Sequence, residues 1–293
     1  MTPTRPRQAR LAFCNDPDFM TFAAHEDVHA FIQTSLGLPF TDSAYLIDLA
    51  SEEEFAFFHG PELERGPHFE RLVEYARQGR IAALHSVNVC IGDYPAAPSR
   101  SQIAFALSSL VELGIRIPIW TTHGSDRELA NLGGATPVYQ QGDHPASDAY
   151  ALDLLLAAGV RWFWMDHHTT NVFGQFHDGA GLLQPEATRA GFSISTFRRF
   201  RGALPKAPDV HSFAWQLNEE HLRDLVEHHA SVVIYQHWGC RRDPTGKPLR
   251  AASPVLPEST RLALEKLAEY AADGRIQVVR VQDLLHDLAG GAP

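Results

Sequence analysis

Short apolar, β-rich runs alternate with amphipathic helical stretches along almost the whole chain, and few folds accommodate that order. RLAFCN at 10–15 reads as a strand, and AHEDVHAFIQTSL at 24–36 as a helix closed by Gly37. SAYLIDLA at 43–50 reads as a buried strand, and FERLVEYARQG at 69–79 as a helix that feeds the strand IAALHSV at 81–87. The stretch 99–114 is the clearest helix: Ser99 caps it, Ile103, Leu107, Leu110 and Val111 share a face, and Gly114 stops it. IPIWTT follows as a strand. The unit recurs with Ser147 as cap of a helix over 147–159 leading into VRWFWM. It recurs again as NEEHLRDLVEHHA into SVVIYQ and as ESTRLALEKLAEYAADG into RIQVVRV.

Seven strands with an eighth at SISTFRRF, 193–200, predict an α/β fold: a distorted (β/α)7-8 barrel in a single domain over 9–293, with residues 1–8 as a loose tail. At 293 residues with 44% hydrophobic and 20% charged side chains, one barrel-sized core is within reach. The long irregular stretches 84–98, 133–146, 166–190 and 238–257 are expected to roof the site.

A net charge of -10 with a pI near 5.9 leaves no basic stripe to track phosphates, so nucleic acid is not an expected partner. Cys14, Cys90 and Cys240 lack CxxC spacing, which predicts neither a disulfide framework nor a cysteine zinc site. With no apolar run of about 18 residues and no signal core after MTPTRPRQAR, the chain reads as a cytoplasmic protein without a membrane partner. The expected partner is a small-molecule or saccharide substrate. The sequence leaves the oligomeric state open.

Histidine and aspartate recur just past the strands, where an α/β fold gathers its loops and catalytic groups. Asp16 and Asp18 follow the first strand in NDPDF, held apart by the rigid Pro17, and can divide ligand and general-base roles between them; Asp and Pro are also ordinary turn residues. His85 follows IAAL, and His123 repeats the arrangement one βα unit later. A carboxylate with two imidazoles suits one divalent ion, zinc first, with cobalt, nickel or manganese also compatible. His237 follows SVVIYQ, a strand that neighbours the first in a closed barrel, and can protonate a leaving group opposite Asp16. Asp166, His167 and His168 in WMDHHTTN, Arg199 in TFRRF, Asp143 in YQQGDHP and Trp238 are candidates to contact substrate. His25 and His29, four apart on a helix without HExxH, read as surface residues. His228 and His229 end a helix, where a cation suits the dipole.

NDPDF after strand one, LHS at 84–86, VVIYQHWG at 232–239 and the closing RIQVVRVQDLL together resemble the polysaccharide deacetylase superfamily, the NodB-type carbohydrate esterases, in a divergent branch. The resemblance spans nearly the full length. It implies metal-dependent hydrolysis of an N-acetyl or O-acetyl group, with Asp16 as base, Asp18 and His85 as metal ligands and His237 as acid. The chain departs from the family twice: Pro17 separates the aspartates, and the family's second histidine falls at Val89, for which His123 is the candidate substitute. Two further readings stand beside this deacetylase or amidase acting on an amino sugar or small amide. One is a metal-free glycoside hydrolase pairing Asp16 with Asp166 or Asp143. The other is a non-catalytic carbohydrate-binding relative in which Trp120, Trp162, Trp164 and Trp238 contribute stacking surfaces.

Overall fold

The computed structural model describes residues 8–89, 97–123, 129–133, 140–165, 169–170, 181–202 and 207–290. Its elements follow the expected alternation. In chain order they begin with β1 (Ala9–Phe13), α1 (Phe22–His29) continued by a π-helical stretch (Ala30–Ser35), β2 (Asp42–Asp48), β3 (Ala56–His59), β4 (Glu64–Arg65), α2 (Phe69–Arg77) and β5 (Ile81–His85). Next come α3 (Arg100–Glu112), β6 (Ile119–Thr121), α4 (Leu152–Ala158), β7 (Trp162–Trp164), β8 (Thr169–Thr170), β9 (Leu183–Ala187), β10 (Ser193–Phe197) and β11 (Arg199–Phe200). The chain continues with α5 (Phe213–Gln216), α6 (Glu219–Glu227), β12 (Ser231–Ile234), β13 (Cys240–Arg242), β14 (Pro248–Arg250), α7 (Glu258–Ala272), β15 (Ile276–Arg280) and α8 (Val281–Leu288).

These elements form two compact units. The first comprises Met1–Thr41, Thr169–Leu183 and Arg198–Pro293, and the second Asp42–His168 and Gln184–Phe197. The first unit holds a five-stranded sheet in the order β15-β1-β12-β11-β8, with parallel pairing at each junction. Residues 10–13 of β1 pair with 231–234 of β12, so the strand that delivers His237 does lie beside the strand that delivers Asp16. The second unit is built on a sheet in the order β4-β3-β2-β5-β6-β7-β10-β9, parallel from β3 through β10 and antiparallel at β3–β4. The parallel α/β architecture therefore stands. Among the described residues the strand ladders form these separate sheets, with a β13–β14 hairpin, and do not close into one ring.

Local chemistry explains why each segment takes its form. All seven residues of β2 are buried, as expected for a parallel strand covered on both faces. Its terminal Asp48 is tolerated there because its carboxylate accepts the N–H groups of Ala50, Glu52 and Glu53 at 3.0, 2.7 and 2.7 Å. In α3 the Ser99 hydroxyl accepts the Gln102 N–H while the Gln102 carbonyl oxygen accepts the Ser99 N–H, a complete capping box, and Ile103, Ala106, Leu107 and Leu110 face the interior.

One expected cap is displaced. The helix predicted from Ser147 begins only at Leu152, because the N–H groups of Ala151 and Leu152 are taken by the Gly142 carbonyl while Ser147 caps a turn at Ala149. The hairpin β13–β14 and the short β3 and β4 have no counterpart in the sequence-based expectation: each spans two to four residues, too few for a period to show. No helix among the described residues is long and apolar enough to cross a membrane.

Ser99→Ala removes the hydroxyl that accepts the Gln102 N–H and leaves the bond from the Ser99 N–H to the Gln102 side chain in place. Thermal or urea unfolding should show a loss of about 1 kcal/mol, and an unchanged stability would mean the cap contributes nothing to α3.

Candidate functional site

In the first unit the sheet continues past its last paired residues. The Asp16 N–H donates to the Gln236 carbonyl at 2.9 Å, which carries the β1–β12 pairing into the loops that follow both strands. Beyond Pro17, whose carbonyl accepts the Met20 N–H, the chain turns back through Phe19 at a positive φ of 62°. That turn lies directly against Gly239. A Cβ at position 239 would stand 2.4 Å from the Met20 nitrogen and 2.6 Å from the Phe19 carbonyl carbon, so only glycine admits this approach.

The packed turns bring Asp16, Asp18 and His237 together. His237 Nε2 stands 3.6 Å from an Asp16 oxygen and 3.5 Å from an Asp18 oxygen, a spacing within which a cation could be shared. His237 Nδ1 donates to the Pro208 carbonyl at 2.8 Å. A carbonyl can only accept, so Nδ1 carries a proton and Nε2 is the ring nitrogen that faces the two carboxylates.

Asp16 has a second partner that the sequence did not disclose. Arg199 is fully buried and grips both Asp16 oxygens, Nη1 at 2.5 Å and Nη2 at 3.0 Å, while Nη1 also donates to the Cys14 carbonyl at 3.2 Å. Its guanidinium lies 4.0 Å from the Tyr235 ring centroid. Burial pushes the Arg199 guanidinium down, but the charge and hydrogen bonds of Asp16 outweigh it and hold it above its ordinary value. Arg199 was expected at the substrate; its donors are spent inside the protein instead. Gln216 reinforces this floor, donating to the Phe200 carbonyl at 2.7 Å and the Tyr235 carbonyl at 3.1 Å, and accepting from Gln236 at 2.6 Å.

Trp238 also departs from expectation. It is buried among Phe40 and Phe213, at ring-centroid separations of 5.8 and 5.2 Å, and offers no face to a sugar. His25 and His29 are buried rather than superficial, with rings 4.0 Å apart and His29 edge-on to Phe40. Cys240 lies close in sequence to His237, yet burial pushes its thiol up to about 11, so it is protonated at neutral pH and unsuited to act as a nucleophile.

In the second unit β5 and β6 pair in register, His85 opposite Thr121. That register brings the two predicted imidazoles together: the His85 and His123 rings are 5.3 Å apart at 87°, and Tyr45 packs edge-on to both. His85 Nδ1 contacts the Thr121 hydroxyl at 2.8 Å. Val89, at the position of the family's second histidine, packs with Tyr45 and Ala56 in the core.

Asp143, expected at the substrate, is held by Arg189, which reaches it through Nε at 3.0 Å, a closer Nη2 contact and its own N–H at 3.0 Å; the Gly133 N–H adds a bond at 3.1 Å. Burial pushes the Asp143 carboxyl up, but these donors together hold it below the usual carboxylate range. It is a structural ion pair rather than an open ligand. Asp166, His167 and His168 lie outside the described residues.

Neither Arg189 nor Thr121 carried a signal legible in the sequence, since Arg189 falls in the irregular stretch 166–190 and Thr121 lies in the apolar strand run IPIWTT.

No protein-family model matches the chain, and no curated protein does either. Among solved structures, the chain is similar to a 4-alpha-glucanotransferase from Thermococcus litoralis, at 11% identity and a TM-score of 0.40, over 94% of this chain and 38% of that one. The chain spans well under half of that protein, and a likeness at this level carries no argument about chemistry.

Two substitutions test this geometry. Arg199→Met leaves the Asp16 carboxylate buried without its counter-charge and should lower the unfolding free energy by about 3–5 kcal/mol in urea titrations; a near-neutral result would show that Asp16 relaxes to solvent. Asp143→Asn should cost about 1–3 kcal/mol at neutral pH. Because the folded carboxyl is depressed, its contribution is present above the ordinary value of 3.8 and disappears as pH falls through the folded value, so the gap between the two proteins should close in acid.

Proposed function

We propose that this chain is a hydrolase of the deacetylase or amidase type, which cleaves an amide or ester on an amino sugar or a small biosynthetic amide. The observation that carries the reading is His237, whose Nδ1 is committed to a carbonyl while Nε2 is directed at two carboxylates in the loops after β1 and β12. An imidazole fixed in this way has one defined atom for proton exchange and a carboxylate on hand to receive the matching proton.

In the proposed mechanism Asp16 is the base. Arg199 orients its carboxylate, and each oxygen keeps a lone pair beyond the one the guanidinium uses, so it can accept the proton of an attacking water. His237, charged on Nε2, gives that proton to the departing nitrogen or oxygen, and the Pro208 carbonyl keeps the ring oriented throughout. Neutral imidazoles with a carboxylate are the donor set of a borderline divalent ion, zinc first, with cobalt, nickel or manganese also compatible. Such an ion, when bound, would polarise the scissile carbonyl as a Lewis acid. The proposed ligands are Asp18, His85 and His123.

Metal per chain in protein purified without tag or chelator, measured beside single variants, tests the assignment. The wild type should hold about one divalent ion; Asp18→Asn, His85→Ala and His123→Ala should each lose it. Asp16→Asn and His237→Ala should retain it while kcat on an acetylated amino sugar or small amide drops by about 10²–10⁴. A protein that takes up no zinc, cobalt, nickel or manganese yet hydrolyses glycosides would replace this reading with the metal-free pairing of Asp16 and Asp166. Saccharide binding without turnover would instead mark a carbohydrate-binding relative.

A further inference from the structure

We propose that Thr121 is a positioning residue that fixes the tautomer of His85, and this deepens the proposed hydrolase reading, on which its functional consequence rests. Thr121 is fully buried and its hydroxyl touches two groups, His85 Nδ1 at 2.8 Å and the Leu84 carbonyl at 3.3 Å. A hydroxyl has one proton to give, and a carbonyl can only accept. Both contacts are hydrogen bonds in one arrangement alone: Thr121 donates to Leu84, and His85 Nδ1–H donates to Thr121. His85 is then the Nδ1–H tautomer, with its lone pair on Nε2.

That outcome runs against the intrinsic preference of imidazole, which in water favours the proton on Nε2. The protein therefore has to impose the Nδ1–H form, and the strand register supplies the means. Pairing of β5 with β6 sets Thr121 directly opposite His85, while Tyr45 and His123, both edge-on at 5.3 Å, hold the ring plane. A ligand imidazole whose other nitrogen is held by an oxygen acceptor has a fixed donor atom, and removing such a support typically weakens metal binding by about 10–100-fold.

The tautomer can be read directly from the two ring ¹⁵N shifts of His85 in histidine-labelled, metal-free protein, at about pH 8, where a histidine of ordinary pKa is neutral. The wild type should show the proton on Nδ1. Thr121→Val, which keeps the side-chain shape and removes the hydroxyl, should move the proton to Nε2 or mix the two forms, and Thr121→Ser should restore Nδ1–H. Zinc titration should show binding roughly 10–100-fold weaker in Thr121→Val than in Thr121→Ser.

An Nε2–H wild type, or a tautomer indifferent to Thr121→Val, would overturn the inference even if metal binds. If the ring shifts behave as expected but neither zinc nor cobalt binds the wild type, the tautomer assignment stands and the metal reading falls. Should Thr121→Val not fold, the wild-type shifts still decide the tautomer.

Discussion

The buried pair of Arg199 and Asp16 is the interaction on which the first unit's site depends. A guanidinium with no exposure is costly to desolvate, and such a pair is tolerated only when its geometry satisfies most of its donors and acceptors. Here Arg199 binds both oxygens of Asp16, reaches the Cys14 carbonyl and lies over Tyr235. Those contacts join the ends of β1, β11 and β12, the elements whose following loops carry Asp18 and His237. The charge arrangement is thus also the mechanical one: the Asp16 carboxylate is oriented by the group that fastens three strand ends together. Lysine could not replace it, since a single ammonium cannot grip two carboxylate oxygens in a plane and reach a carbonyl as well.

Imidazole orientation follows a common rule in each unit taken separately. His237 spends Nδ1 on a backbone carbonyl, and His85 spends Nδ1 on a side-chain hydroxyl. In both cases the nitrogen nearer the backbone is held by the surrounding structure, and that contact orients the ring. A histidine placed after a strand without such a partner would sample both tautomers and several rotamers, which dilutes any function that needs one particular atom. The partner groups are a proline carbonyl and a threonine on the neighbouring strand, neither of which advertises itself in a sequence.

That difference explains what could be read from the chain before its structure. The alternation of strands and helices, the capped helix beginning after Ser99, and the placing of Asp16, Asp18 and His237 just past apolar runs follow from local signals, while the meeting of these three residues needs the neighbourhood of the first strand and the strand before His237. The adjacency of His85 and His123 follows from consecutive parallel strands. Arg199 and Arg189 were not legible as ion-pair partners, because Asp16 lies 183 positions from the first and Asp143 lies 46 positions from the second. Charge pairing over such separations is decided by which strands neighbour each other. The sequence suggests a neighbourhood for β1 and β12 but not for the short β11 beside them.

The fate of Trp238 shows how a strand's end sorts chemistry from packing. Residues leaving an extended strand point alternately to opposite sides. His237 is directed toward the carboxylates, Trp238 is turned into the aromatic core against Phe40 and Phe213, and Gly239 must be bare because the Phe19–Met20 backbone crosses it. A tryptophan adjacent to a catalytic candidate looks like a sugar-stacking platform, but alternation gives it the opposite role. Its bulk supports the turn that carries the histidine. Along this strand end, a side chain that faces the same side as the carboxylates must therefore lie in phase with His237.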